Sequence, residues 1–179
     1  MKAALLVIDV QRGLFDGEPR SWQADAVVAR INGLAERARH ACVPVVFIQH
    51  ETADGALTFG SEGWQLEQHL ILEDGDTILR KTTPDSFLRT ELHELLQKWK
   101  TDQLVICGYA TEFCVDTTTR RAAGLGYPVI LVSDAHTTHD KAHARAAEIW
   151  THHNATLPEI CSFGPMIQAL PAERVVFGL

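Results

Sequence analysis

Apolar residues in this chain gather into short unbroken runs separated by amphipathic stretches. The first run, Ala3 to Ile8, stops at Asp9 and predicts a strand buried on both faces. After a loop with Gly13, Gly17 and Pro19, apolar residues recur at helical spacing (Val27, Ile31, Leu34, Ala35, Ala38) from Asp25 to about His40, with Asp25 as N-cap. Pro44 to Ile48 is a second strand-like run, closing on Gln49 and His50. The polar, glycine-bearing stretch Glu51 to Gly63 predicts a long loop, and Asp76 to Lys81 a third, weaker strand. Thr90 is placed to cap a helix that carries Leu92, Leu95, Leu96 and Trp99 on one face. Leu104 to Gly108 and Pro128 to Val132 predict strands four and five, separated by a helix from near Cys114 to about Gly124. A helix with Ala142, Ala146, Ile149 and Trp150 in register follows. A short run through Glu159-Ile-Cys161 and a helical segment from Met166 to Leu170 close the pattern.

Buried strands alternating with amphipathic helices predict an α/β protein. The expected form is a three-layer α/β/α, Rossmann-like fold with a six-stranded, mainly parallel sheet in the order 3-2-1-4-5-6. The 179 residues read as one domain, 1–179. The formal charge of −7, with basic residues scattered, argues against a nucleic-acid partner. No apolar run is long enough to span a bilayer, and Asp9 interrupts the first one before a leader could form, so a cytoplasmic location is expected. Four irregularly spaced cysteines do not resemble a disulfide framework.

In such sheets ligands sit beyond the carboxyl ends of the strands. Asp9, Gln49, His50, Lys81, the loop from Tyr109 to Cys114, and Asp134 all fall on that edge. Cys114 opens a helix, where free amides and the dipole favour an anion, so its thiol is expected to ionise readily. An unpaired cysteine is more often a small buried hydrophobe, and Cys42, Cys107 and Cys161 are read that way. Asp9 taken alone could simply cap a loop, and Lys81 alone could be a solvated strand end. Together with Cys114 they make chemical sense: the carboxylate accepts the thiol proton and the ammonium steadies both anions. One geometric demand follows from the strand order. Strands lie about 4.8 Å apart, so Lys81 starts two strands from Asp9 and must reach across.

Val7-Ile-Asp-Val-Gln11, Lys81 followed by Asp85-Ser-Phe87, and Cys107-Gly-Tyr-Ala-Thr-Glu-Phe-Cys-Val115 resemble the isochorismatase-like cysteine hydrolases. Gly126-Tyr-Pro-Val and Asp134-Ala-His extend the likeness over nearly the whole chain. The resemblance implies a triad of Asp9, Lys81 and Cys114. It also implies a cis peptide between Ala110 and Thr111, with the amides of Thr111 and Cys114 as an oxyanion hole. Isochorismatases proper, which cleave a vinyl ether, look different at the nucleophile and lack the cysteine. Nicotinamidases carry an Asp-x-His…His metal site where this chain reads Gln49-His50-Glu51-Thr52. The likeness is to an amidase branch that includes streptothricin hydrolase-like proteins, and family members form homodimers or homotetramers.

The resulting expectation is a metal-independent cysteine hydrolase, without cofactor, that cleaves a C–N bond of a small amide, imide or lactam through a thioester. The alternatives are an isochorismatase-type ether hydrolase, a redox-responsive thiol protein, or a binding protein with a degenerate site. Phe15, Gln49, Trp64, Tyr109, Phe113 and His136 are candidates for the substrate wall. His136, His139 and His143, with His152-His153 beyond, have helix-like metal spacing but no accompanying carboxylate motif, and are read as structural or solvated.

Overall fold

The structure, a computed structural model, describes residues 2–178. Its strands are β1 (Ala3–Ile8), β2 (Val45–His50), β3 (Thr77–Lys81), β4 (Gln103–Tyr109), β5 (Val129–Thr137) and β6 (Ile167–Leu170). They form one six-stranded sheet in the order β3-β2-β1-β4-β5-β6. Every neighbouring pair is parallel. The helices are α1 (Arg12–Phe15), α2 (Ala24–His40), α3 (Leu92–Trp99), α4 (Asp116–Gly124) and α5 (Ala146–Thr156).

β1 has no polar face because helices cover both sides of the sheet. Ala3, Leu5 and Val7 pack with Val27, Ile31, Leu34 and Ala38 of α2. Ala4, Leu6 and Ile8 point the other way, into a cluster with Leu92 and Leu96 of α3 and Ala122 and Ala123 of α4. The alternation of a strand thus survives as a choice of core, not as a choice between core and water.

Some details depart from the pattern. Asp25 does not cap α2; Gln23 occupies the N-cap position in a left-handed conformation without a side-chain bond to the helix, and Asp25 lies in the first turn with its carboxylate held by Arg20 at 2.6 and 2.9 Å. Thr90 does serve α3, its hydroxyl accepting the Leu92 amide at 3.3 Å. Ala142 stays outside α5, whose start is marked by the Arg145 amide donating to Glu148 Oε2 at 2.8 Å. The expected helix at 166–170 is strand β6, paired with Val129 to Val132, and the run at 159–161 is only the end of a turn. Four residues with one buried position carry no usable periodicity, so neighbour pairing decided the matter. Cys107 is buried as expected, but Cys42 and Cys161 are exposed. Both sit in turns, Cys42 at φ 56° just after α2.

Gly108 shows how tightly β4 lies on β1. It has φ +120°, and a Cβ there would meet the Ile8 carbonyl oxygen at 2.1 Å. Gly108→Ala is therefore expected to lower stability by about 3 kcal/mol or more, because backbone atoms must move. A urea-unfolding midpoint equal to wild type would contradict that packing.

Candidate active site

The carboxyl ends of β1, β2, β3 and β4 bring four side chains together. Asp9 leaves β1 at φ 50°, a left-handed turn that aspartate tolerates, with its amide bonded to the Ile48 carbonyl at 2.8 Å. Lys81 ends β3 and passes over β2 to reach it: Nζ donates to Asp9 Oδ2 at 2.8 Å. Both side chains are buried, at 0% and 2% exposure for Lys81 and Asp9. The same ammonium donates to His50 Nδ1 at 3.0 Å, to the Thr83 carbonyl at 3.1 Å and to Cys114 Sγ at 3.2 Å. The reach demanded by the strand order is therefore met, by a side chain long enough to span one intervening strand.

Donor atoms of Asp9, His50 and Cys114 all lie within 4.8 Å of one another. Such a set suits a cation, and Lys81 Nζ is within bonding distance of all three. The ammonium thus takes the place that a metal ion would need. His136, His139 and His143 do not converge: the first two bond to Thr111 and Tyr109, and the third is exposed.

The electrostatics reverse one expectation. Burial first, and the Asp9 carboxylate second, push the Cys114 thiol up to about 12, against the opposing pull of Lys81. The residue is not at an exposed helix end; it lies in the wide π-helical turn Thr111–Val115 that precedes α4. Desolvation there disfavours the thiolate. Asp9 Oδ1 is buried and has no hydrogen-bond partner among the described residues, whereas Oδ2 is bound by Lys81, so the first oxygen is placed to take a proton.

The cis peptide lies between Tyr109 and Ala110, one bond earlier than the resemblance implied. The Ala110–Thr111 bond instead leads into the turn, where the Ala110 carbonyl accepts the amides of Phe113 and Val115. The Thr111 amide heads the turn and has no acceptor among the described residues. Thr111 itself is pinned from behind. Asn154 Nδ2 donates to the Ser133 carbonyl, which turns its Oδ1 towards His136 Nε2 at 3.1 Å. Nε2 must then carry the proton, and Nδ1 accepts from the Thr111 hydroxyl at 2.9 Å. His136 is fully buried, like Asp9 and Lys81, and holds the Thr111 hydroxyl from the β5 side of the turn.

Of the other candidates for the substrate wall, Phe15 is buried against Tyr109, edge to face at 6.0 Å. Gln49 is buried and donates to the Trp64 carbonyl at 2.9 Å. Trp64 is half-buried and packs on Phe59. Tyr109 contacts His139 through its hydroxyl at 2.8 Å. Phe113, beside Cys114, is exposed. Asp134 serves the fold, accepting the Ala172 amide and pairing with Arg30.

Three supports had little signal in the sequence. Gln11, wholly buried, exchanges two hydrogen bonds with the His50 backbone and donates to the Trp64 carbonyl, tying the long loop to β1 and β2. Thr118 of α4 bonds Ser86, which couples the segment after Lys81 to the helix after Cys114. His50 was visible only as a polar residue at a strand end. Its position in both a buried run and the site edge was the one available hint.

A model of the isochorismatase domain matches residues 3–158. The chain is 41% identical over 140 residues to a streptothricin hydrolase of Streptomyces noursei, covering 76% of this chain and 50% of that one. A second streptothricin hydrolase of that organism is 39% identical with 55% of its length covered, so the chain spans about half the length of these curated relatives. It is also 32% identical over 149 residues to a secreted isochorismatase effector of Verticillium dahliae, covering 82% and 78% of the two chains. A solved structure of an isochorismatase family protein superposes with a TM-score of 0.86 at 36% identity, covering 94% of this chain and 98% of that one.

The His136 support makes stability pH-dependent. Burial pushes its imidazole down to about 4 from 6.5. Between those values the unfolded chain binds a proton that the folded protein excludes, so stability falls as pH drops through that window. The loss from this group amounts to about 3 kcal/mol. Urea midpoints measured from pH 7 to pH 4 are expected to fall less steeply in His136→Gln than in wild type, and parallel curves would contradict the assignment.

Proposed function

The chain belongs to the isochorismatase family, and from that premise we propose that it is a metal-independent cysteine hydrolase of a small amide, imide or lactam. The observation that carries the proposal is the convergence of a free carboxylate oxygen, a buried ammonium and a thiol on one sheet edge. Two relatives named as streptothricin hydrolases support hydrolysis as the reaction type. The same reading makes the protein a cytoplasmic homodimer or homotetramer. Among the described residues, no helix is long and apolar enough to cross a membrane.

The reaction begins with a neutral thiol. As Cys114 Sγ approaches the substrate carbonyl, its proton passes to Asp9, and the C–S bond forms while the carbonyl π pair moves to oxygen. The amides of Thr111 and Cys114 hold that oxyanion. Lys81 remains an ammonium throughout and stabilises whichever neighbour is negative. Collapse of the intermediate breaks the C–N bond, and protonated Asp9 gives its proton to the leaving nitrogen. Asp9 then takes a proton from water, hydroxide attacks the thioester, and the sulfur leaves as a thiolate that is reprotonated from Asp9. Phe113 and Tyr109 border the nucleophile and supply an apolar flank for the acyl group.

A general base beside a high-pKa thiol suits this sequence better than a redox-responsive one. Oxidation-sensing cysteines are exposed and ionised at neutral pH, whereas Cys114 is largely buried and its thiol is pushed up to about 12. An ether-cleaving reaction leaves the cysteine without a role.

A screen of small amides, imides and lactams read by ammonia or amine release is expected to identify turnover. On the substrate so found, Cys114→Ala and Asp9→Asn should each lower kcat by about 1,000-fold or more. Dialysis against a chelator should leave the rate unchanged. Retained activity in Cys114→Ala, or loss on chelation, would refute the mechanism.

A further inference from the structure

An ammonium carries three protons, yet Lys81 Nζ has four acceptors around it. They are Asp9 Oδ2 at 2.8 Å, His50 Nδ1 at 3.0 Å, the Thr83 carbonyl at 3.1 Å and Cys114 Sγ at 3.2 Å. Only three can be served at once. While Cys114 is a thiol, sulfur is the weakest acceptor of the four and the protons go to the other three. Once the thiol gives up its proton, the thiolate becomes a charged acceptor, and charge-assisted bonds are roughly twice as strong as neutral ones. One neutral acceptor must then yield. Thr83 is held by the backbone two residues from Lys81, whereas His50 offers a side chain that is only half-buried.

We propose that His50 is a positioning residue for the nucleophile, competing with Cys114 for the third proton of the Lys81 ammonium and thereby weighting the resting site towards the thiol. The imidazole is suited to the role because it is neutral: burial first, and the Lys81 charge second, lower its pKa. Its Nδ1 accepts, so its own proton is on Nε2. The ionisable groups that face the sulfur are Asp9 after β1, His50 at the end of β2, Lys81 at the end of β3 and Tyr109 at the end of β4, with Glu112 in the same turn as Cys114. Glu112 is engaged through Oε1 by Thr138 and Lys141, its buried Oε2 having no partner among the described residues, and Tyr109 is engaged by His139. Glu51, beside His50, is held by Arg80. His50 is thus the acceptor that can release the ammonium.

The inference rests on Cys114 as the nucleophile, but it can be tested without a substrate. The rate of Cys114 carboxamidomethylation by iodoacetamide, followed by mass spectrometry across pH, reports the thiol directly. Removing the competing acceptor in His50→Leu is expected to speed alkylation about tenfold at a given pH, as the thiol pKa falls by about one unit. His50→Gln, which restores an acceptor oxygen, should return to within about threefold of wild type. An unchanged or slower rate in His50→Leu would overturn the proposal, as would His50→Gln behaving like His50→Leu. Histidine ¹⁵N spectra of the wild-type protein give a reading that needs no variant: a proton on Nδ1 of His50 would also overturn it. An amide screen without hits would leave this result standing, so the two failures are separable.

Discussion

The buried ammonium of Lys81 is the interaction around which the site is arranged. An isolated ammonium taken out of water is costly by several kcal/mol, and only a full set of acceptors makes it tolerable. The fold meets that need from separate pieces of chain: the turn after β1, the end of β2, the segment after β3 and the turn before α4. Any rearrangement of strand order would separate these acceptors. The sheet order and the ammonium are therefore two sides of one constraint.

That constraint also sets the character of the proposed nucleophile. A carboxylate and an ammonium in contact largely cancel, so Cys114 is left with desolvation as the dominant influence. In the mechanism we propose, a base with one oxygen unpartnered among the described residues lies beside a thiol, which delays ionisation until an electrophile can accept the sulfur's charge. The fixed dipoles of the turn, and the Thr111 hydroxyl anchored through His136 and Asn154, supply a frame that does not have to reorganise during the reaction.

The surrounding loops are held by buried side-chain amides instead of by apolar packing alone. Gln11 and Gln49 both donate to the Trp64 carbonyl, and Gln11 pairs with the His50 backbone as a strand neighbour would. These bonds seat the long polar loop over the ends of β1 and β2. They explain why a buried, uncharged amide follows Asp9 by two positions, where the hydrophobic pattern alone asks for another apolar residue.

The runs at Ala3–Ile8, Val45–Ile48 and Leu104–Ile106 were legible because strands buried on both faces leave an unambiguous apolar trace. Asp9, Lys81 and Cys114 were legible because the parallel topology sends all strand ends to one edge. The strand at Ile167–Leu170 was not, since its existence depends on pairing with β5 and not on its own composition. The position of the cis peptide, the inward placement of His136 and the four-way contact of Lys81 were likewise absent from the pattern. So was the raised pKa of the thiol, because helix-end chemistry is local whereas desolvation depends on everything packed around the sulfur. The sequence by itself determined the fold class and which polar residues stand at the strand ends, because both follow from periodicity and chain direction. Tertiary structure alone decided which acceptors share one ammonium and how strongly the sulfur is desolvated, because both depend on distances between segments far apart in the chain.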